Sequence, residues 1–152
     1  MKISRASDYA IRGLVYMAKK QAGTVSFVKD IAKNTDSPAS FMSKIFQSLA
    51  KNGLVHSFIG TKGGFTFNIP PENITIKMIV EVIDGPIVLN RCVVNKSSCR
   101  NVGNCDVHFM WVDIQKMLTK ALSSYSIADF ANNTHKNKLS EYDLPKFADR
   151  KF

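Results

Sequence analysis

Apolar residues in the opening stretch SDYAIRGLVYMAKK fall at Tyr9, Ala10, Leu14, Val15, Met17 and Ala18, steps of one to four that follow a helical period. That period predicts an amphipathic helix, capped by Ser7 or Ser4 and ended at Ala22-Gly23. In SFVKDIAKN, Phe27, Ile31 and Ala32 share one helical face, and Ser26 is placed to cap it. A third helix is predicted over SPASFMSKIFQSLAKNG. Pro38 suits its first turn, Phe41, Ile45 and Leu49, joined by Phe46, make the buried stripe, and Gly53 is the stop.

After Gly53 the period changes. LVHSFIG and GGFTFNI are short β-prone runs on either side of Thr61-Lys62-Gly63, which predicts a hairpin with a glycine-rich tip. Three helices followed by a hairpin is the layout of a winged helix-turn-helix domain, here over residues 1–70, with the reading element at 38–53 and the wing at 54–68. Residues 71–131 continue as helices: ITIKMIVEVIDG over 74–85, a long helix in CDVHFMWVDIQKMLTKALSSY, and a short one in SIADFANN. Val107, Trp111, Ile114, Met117, Leu118, Ala121 and Leu122 line one side of the long helix. Such a stripe suits pairing with the same helix of a second subunit, giving a homodimer. Residues 132–152 are polar, mixed in charge and poor in apolar side chains, which reads as a flexible tail whose Phe147 and Phe152 dock transiently. The expected fold is mainly α with a small β-hairpin wing: a winged helix-turn-helix domain plus a long dimerisation helix.

Charge sharpens this picture. The chain carries a net charge of +9, and residues 1–68 hold 10 Lys/Arg against 3 Asp/Glu. A positive first half is the electrostatic footprint of a nucleic-acid binder, so the expected partner is a double-stranded DNA operator. No run approaches the roughly 18 apolar residues of a membrane span, and the start has no signal-peptide core. No membrane partner is expected, and a cytoplasmic location follows as the default. On the third helix, Ser40, Ser43, Lys44 and Gln47 supply a polar reading face, Phe41 can touch a thymine methyl, and Lys51 suits a phosphate. At the wing tip Thr61 and Lys62 lie between glycines, a shape that lets backbone approach the minor groove. No nucleophile–base pair, glycine-rich phosphate loop after a strand, or carboxylate dyad argues for an enzyme.

All three cysteines, with one histidine, fall inside CVVNKSSCRNVGNCDVH. Cys92 and Cys99 are separated by six residues, Cys99 and Cys105 by five, and Cys105 and His108 by two. Asn, Ser, Gly, Lys and Arg lie between them, which is not the surrounding of an inert core thiol. In a reducing compartment, metal binding or thiolate chemistry is favoured over a disulfide framework. Structural zinc sites show shorter Cys pairs, whereas a larger iron–sulfur cluster can be wrapped by a loop of well-spaced thiolates. Lys96, Arg100 and the start of the long helix would offset the negative charge. Two further readings remain open: a metal-free sensor in which the thiols oxidise directly, and a small electron-transfer protein, which would need neither the basic first half nor the hairpin.

MKISRASDYAIRGL, KIFQSLAKNGLV followed by GTKGGF, and the three-cysteine loop ahead of a long helix resemble the Rrf-type iron–sulfur transcription regulators over about residues 1–131. The resemblance implies a homodimeric winged helix-turn-helix regulator with Cys92, Cys99 and Cys105 as cluster ligands. Its cluster state (redox, nitric oxide or iron supply) would modulate operator binding. Cys105-x2-His108 matches the IscR-like pattern, in which the histidine completes a 2Fe–2S cluster. Asp8 matches the NsrR-like pattern, in which an aspartate from the other subunit's first helix completes a 4Fe–4S cluster. The local spacing of His108 from Cys105 favours the first. One position departs from the family: Ile59 stands where the wing usually carries an arginine before the first glycine, and Lys62 is placed to take over.

Overall fold

The computed structural model of the protein describes residues 2–60 and 63–134, with the backbone alone at Lys96. Its first three helices are α1 (Arg5–Ala18), α2 (Val28–Asn34) and α3 (Ala39–Lys51). They meet around Leu14, Ile31, Met42, Phe46 and Leu49, each without exposed surface. Gly13 sets how closely α1 approaches: a Cβ there would lie 2.8 Å from Phe46 Cε2 and 3.0 Å from Ile31 Cγ2. Ser4 is the N-cap of α1, accepting from the Ser7 N–H at 3.2 Å.

Several local expectations change. α1 ends at Ala18, short of Ala22-Gly23. Pro38 is the N-cap of α3, with ψ 131°, and not a first-turn residue. The buried stripe of α3 is Met42, Ile45, Phe46 and Leu49, while Phe41 faces solvent. Ser26 does not cap α2, whose N-cap is Phe27, an exposed residue with no side-chain cap bond. Ser26 instead pairs with Phe65, its N–H donating to the Phe65 carbonyl at 2.9 Å and its carbonyl accepting from the Phe65 N–H at 2.9 Å. Phe27 is itself extended (φ −81°, ψ 143°), so the helix starts one residue later than a Ser26 cap would need. Gly64 permits the approach, since a Cβ there would sit 2.7 Å from the Ser26 carbonyl oxygen.

The hairpin pairs β1 (Val55–Phe58) with β2 (Gly64–Phe67) antiparallel, Val55 opposite Phe67 and Phe58 opposite Gly64. Thr61 and Lys62, the predicted wing contacts, lie outside the described residues. A 3-10 turn (Pro71–Asn73) leads to α4 (Ile76–Asp84), capped by Thr75. The cysteine loop contains the single-turn α5 (Arg91–Val94) and precedes the long α6 (His108–Ser124). α7 (Ile127–Ala131) starts with a full capping box of Ser126 and Asp129. Ile74, Ile79 and Ile127 join the same core as α1–α3, fully buried.

α6 does not present its whole apolar stripe to one neighbour. Leu118 and Leu122 pack on the core, whereas Val107, Met110, Ile114 and Met117 stay exposed. Among the described residues no helix is long and apolar enough to cross a membrane.

Candidate functional site

The reading face of α3 is built as its pattern requires. With Met42, Ile45, Phe46 and Leu49 inward, Ser40, Phe41, Lys44, Gln47 and Lys51 face solvent and Ser43 is half-buried. The Gln47 amide lies 3.5 Å from the Ser43 hydroxyl, its donor reaching back one turn. Phe41 is steadied by an edge contact with Tyr9 of α1, ring centroids 6.0 Å apart. At the wing Ile59 is fully exposed, next to a half-exposed Phe58 whose ring meets His56 edge-on at 5.0 Å.

The three cysteines are free and half-buried. Cys92 sits on α5, Cys99 follows the 3-10 turn Lys96–Ser98, and Cys105 follows the turn Val102–Asn104. Cys92 and Cys99 line one open depression of about 580 Å³ with Arg91 and Ser98; Cys105 is not in that lining. Among the described residues no group of three or more His, Cys, Asp or Glu side chains converges as a metal site. The thiols therefore have to close together from these positions to hold one common metal ion.

His108 and Asp8 stand in opposite circumstances. His108 opens α6, its N–H donating to the Cys105 carbonyl at 3.1 Å. Its side chain is buried at 7% exposure, and Nδ1 has no hydrogen-bond partner. A buried polar nitrogen left unpaired is costly and calls for a ligand. Asp8 is exposed on α1 and ion-paired with Arg12 at 3.0 Å. Three free thiols in one loop, with an orphaned imidazole nitrogen on the residue three positions after Cys105, are a donor set whose chemistry fits an iron–sulfur cluster.

Two residues not singled out by their pattern tie this loop to its surroundings. Gln115 of α6 donates to the Ile87 carbonyl at 2.8 Å and accepts from the Leu89 N–H at 2.9 Å, fixing the segment that enters the loop. Asp84, the last residue of α4, accepts from the Ser4 N–H at 2.9 Å, the Ser4 hydroxyl at 2.5 Å and the Ser7 hydroxyl at 2.8 Å. Burial pushes the Asp84 carboxyl up, but these three donors outweigh it and hold the group below the ordinary aspartate value. A signal for Asp84 exists in the sequence. An acid at the C-terminal end of a helix opposes the helix dipole, which points to a partner from elsewhere in the chain.

Three helices, a hairpin, a basic reading face and a cysteine loop ahead of a long helix define a winged helix-turn-helix transcription regulator. Residues 3–133 match the Rrf2 family, described as iron-dependent transcriptional regulators, and the chain belongs to that family. The HTH-type transcriptional regulator IscR of Escherichia coli is 27% identical over 134 residues, covering 88% of this chain and 82% of the relative. The fold is shared with CymR, the global cysteine regulator of B. subtilis, at a TM-score of 0.72 and 24% identity, over 88% of this chain and 98% of that one. It is also shared with T. potens IscR, at a TM-score of 0.65 and 22% identity, over 91% of each chain.

Proposed function

We propose that the protein is a homodimeric, cytoplasmic transcription regulator whose affinity for a double-stranded DNA operator depends on an iron–sulfur cluster held by Cys92, Cys99, Cys105 and His108. The observation that carries the reading is the buried, unpartnered Nδ1 of His108, in the helical turn after Cys105. It favours the histidine over Asp8 of the other subunit, which already has Arg12 as a partner, and so favours a 2Fe–2S over a 4Fe–4S cluster. When bound, such a cluster supplies sensitivity to oxidants, nitric oxide or iron supply. The chain's own residues supply the rest. The three thiolates bind, His108 satisfies its orphaned nitrogen, and Arg100 with the N-terminal end of α6 offsets negative charge. Ser40, Phe41, Ser43, Lys44 and Gln47 meet base edges, and Lys51 a phosphate, with Thr61 and Lys62 of the wing in the adjacent groove.

The dimer reading rests on Met110, Ile114 and Met117, an exposed seam at intervals of four and three along α6. That is the spacing of helices that pair along a shared stripe.

Anaerobic reconstitution with iron and sulfide analysis, followed by Mössbauer spectra, tests the cluster and its type together. Alanine at Cys92, Cys99 or Cys105 should abolish the chromophore and leave a folded dimer. His108→Ala should shorten cluster lifetime where Asp8→Ala does not. A triple-cysteine variant that still takes up stoichiometric iron and sulfide refutes the assignment. A second reading, direct thiol oxidation without metal, is favoured by Cys92 and Cys99 sharing one depression apart from Cys105. It predicts a colourless protein under the same anaerobic conditions.

A further inference from the structure

The N-terminus of α1 is completed by a residue 80 positions away. A helix start is satisfied locally by a capping box, in which the N-cap hydroxyl takes the N3 amide and an N3 carboxylate returns to the N-cap N–H. Here the first half is present, Ser7 N–H to Ser4 Oγ, but the third helical residue is Ser7 itself, with no carboxylate to return. Asp84 supplies it from the end of α4, taking the Ser4 N–H and both hydroxyls.

The position of Asp84 in the chain gives this contact a second meaning. Gly85, at φ +84°, turns the chain directly out of α4 toward the cysteine loop. Two residues beyond Gly85, Gln115 clamps Ile87 and Leu89, so the entry to the loop is held at one end by α6 and at the other by Asp84. On the far side, α1 is packed hard beneath the reading helix, through Gly13 against Phe46 and Tyr9 against Phe41. A displacement of the loop entry therefore has a continuous, hydrogen-bonded and close-packed route to α3.

We propose that Asp84 is the positioning residue through which the state of the cysteine loop reaches the recognition helix. The proposal rests on the regulator reading above and adds the element that links its two halves. Spatial continuity is not itself coupling, so the test must read coupling separately from stability.

The full-length dimer, Asp84→Asn, Asp84→Glu and Ser7→Ala are each assayed for affinity to a duplex selected from genomic fragments. Each is measured reconstituted with iron and sulfide, and again after anaerobic chelation. In the parent the two states should differ by about 5–150-fold in affinity, the usual range of such coupling. Asp84→Asn should bring that ratio to within about twofold of unity, leaving iron per chain and the salt dependence of binding unchanged. Ser7→Ala should lower it in part and Asp84→Glu should restore it. A variant that melts earlier yet keeps the parental ratio shows a mere cap and overturns the proposal, as does loss of iron uptake. If the parent itself takes up no iron, the cluster reading fails, and a second arm still decides the role of Asp84. There the thiols are alkylated with iodoacetamide and amide exchange is followed over residues 39–51. A change in the parent that is absent in Asp84→Asn supports the link; a change in both, or in neither, overturns it.

Discussion

Replacing Ile114 tests the dimer at a point where the monomer has little to lose. Ile114 lies on the outer face of α6 between Met110 and Met117, and the three keep 40%, 45% and 46% of their surface exposed, respectively. Fully burying such a side chain is worth about 1.5–3 kcal/mol. The 40% still exposed on Ile114 then corresponds to about 0.6–1.2 kcal/mol per subunit, and about 1–2.5 kcal/mol for the two copies meeting across a two-fold axis. At 1.4 kcal/mol per tenfold, Ile114→Ala should raise the dimer dissociation constant by about 5–50-fold. Ile114→Lys should do more, because it also places an unpaired ammonium in an apolar seam. Sedimentation equilibrium at several loading concentrations gives the constant directly. Affinity for a two-half-site duplex should fall in parallel, since a single reading head cannot meet both half-sites. If both variants sediment as the parent does, the seam of Met110, Ile114 and Met117 is not the interface, and the coiled-pair reasoning is wrong.

Three other outcomes follow from the geometry. Lys44→Ala should cost about 1–3 kcal/mol of discrimination at one base position, whereas Lys51→Ala should weaken all duplexes alike and flatten the salt dependence; fluorescence anisotropy titrations at several salt concentrations distinguish the two. Asp84 has a folded-state pKa below its ordinary value of 3.8, so its contribution to stability is complete above that value and is lost as pH falls through the lower folded one. Urea melts across that acid range should show a steeper loss for the parent than for Asp84→Asn. Gly13→Ala gains about 1 kcal/mol in helix propensity but drives a methyl against the buried Phe46 ring, an overpacking cost of about 1–3 kcal/mol. A net loss of up to about 2 kcal/mol is expected in denaturant melts, and a stabilised variant would show that Phe46 yields.

The order of elements was legible in the chain because helix and strand impose different periods on their apolar residues, and Gly53 and Pro70-Pro71 punctuate the changes. The polar face of α3 was legible for the same reason, and the cysteine loop because three thiols in polar surroundings have no use as core. What the periods could not settle is which edge of a stripe is buried. Neighbouring residues differ by about 100° around a helix, so Phe41 and Met42 both fit the rim of one face, and the packing surfaces of α1 and α2 chose Met42. The seven apolar positions read on one side of α6 were likewise divided, Leu118 and Leu122 going to the core and Val107, Ile114 and Met117 being left outside. Ser26 looked like a cap because its local chemistry is that of one, and its pairing with Phe65 took precedence. Least visible of all was the acid that completes the α1 cap. A capping residue is sought three positions away, and Asp84 stands 80 positions away, brought to Ser4 only once α4 has packed against α1. Sequence determined what each segment is, since that depends on neighbours a turn apart; the tertiary structure decided what each face meets, since that depends on surfaces distant in the chain.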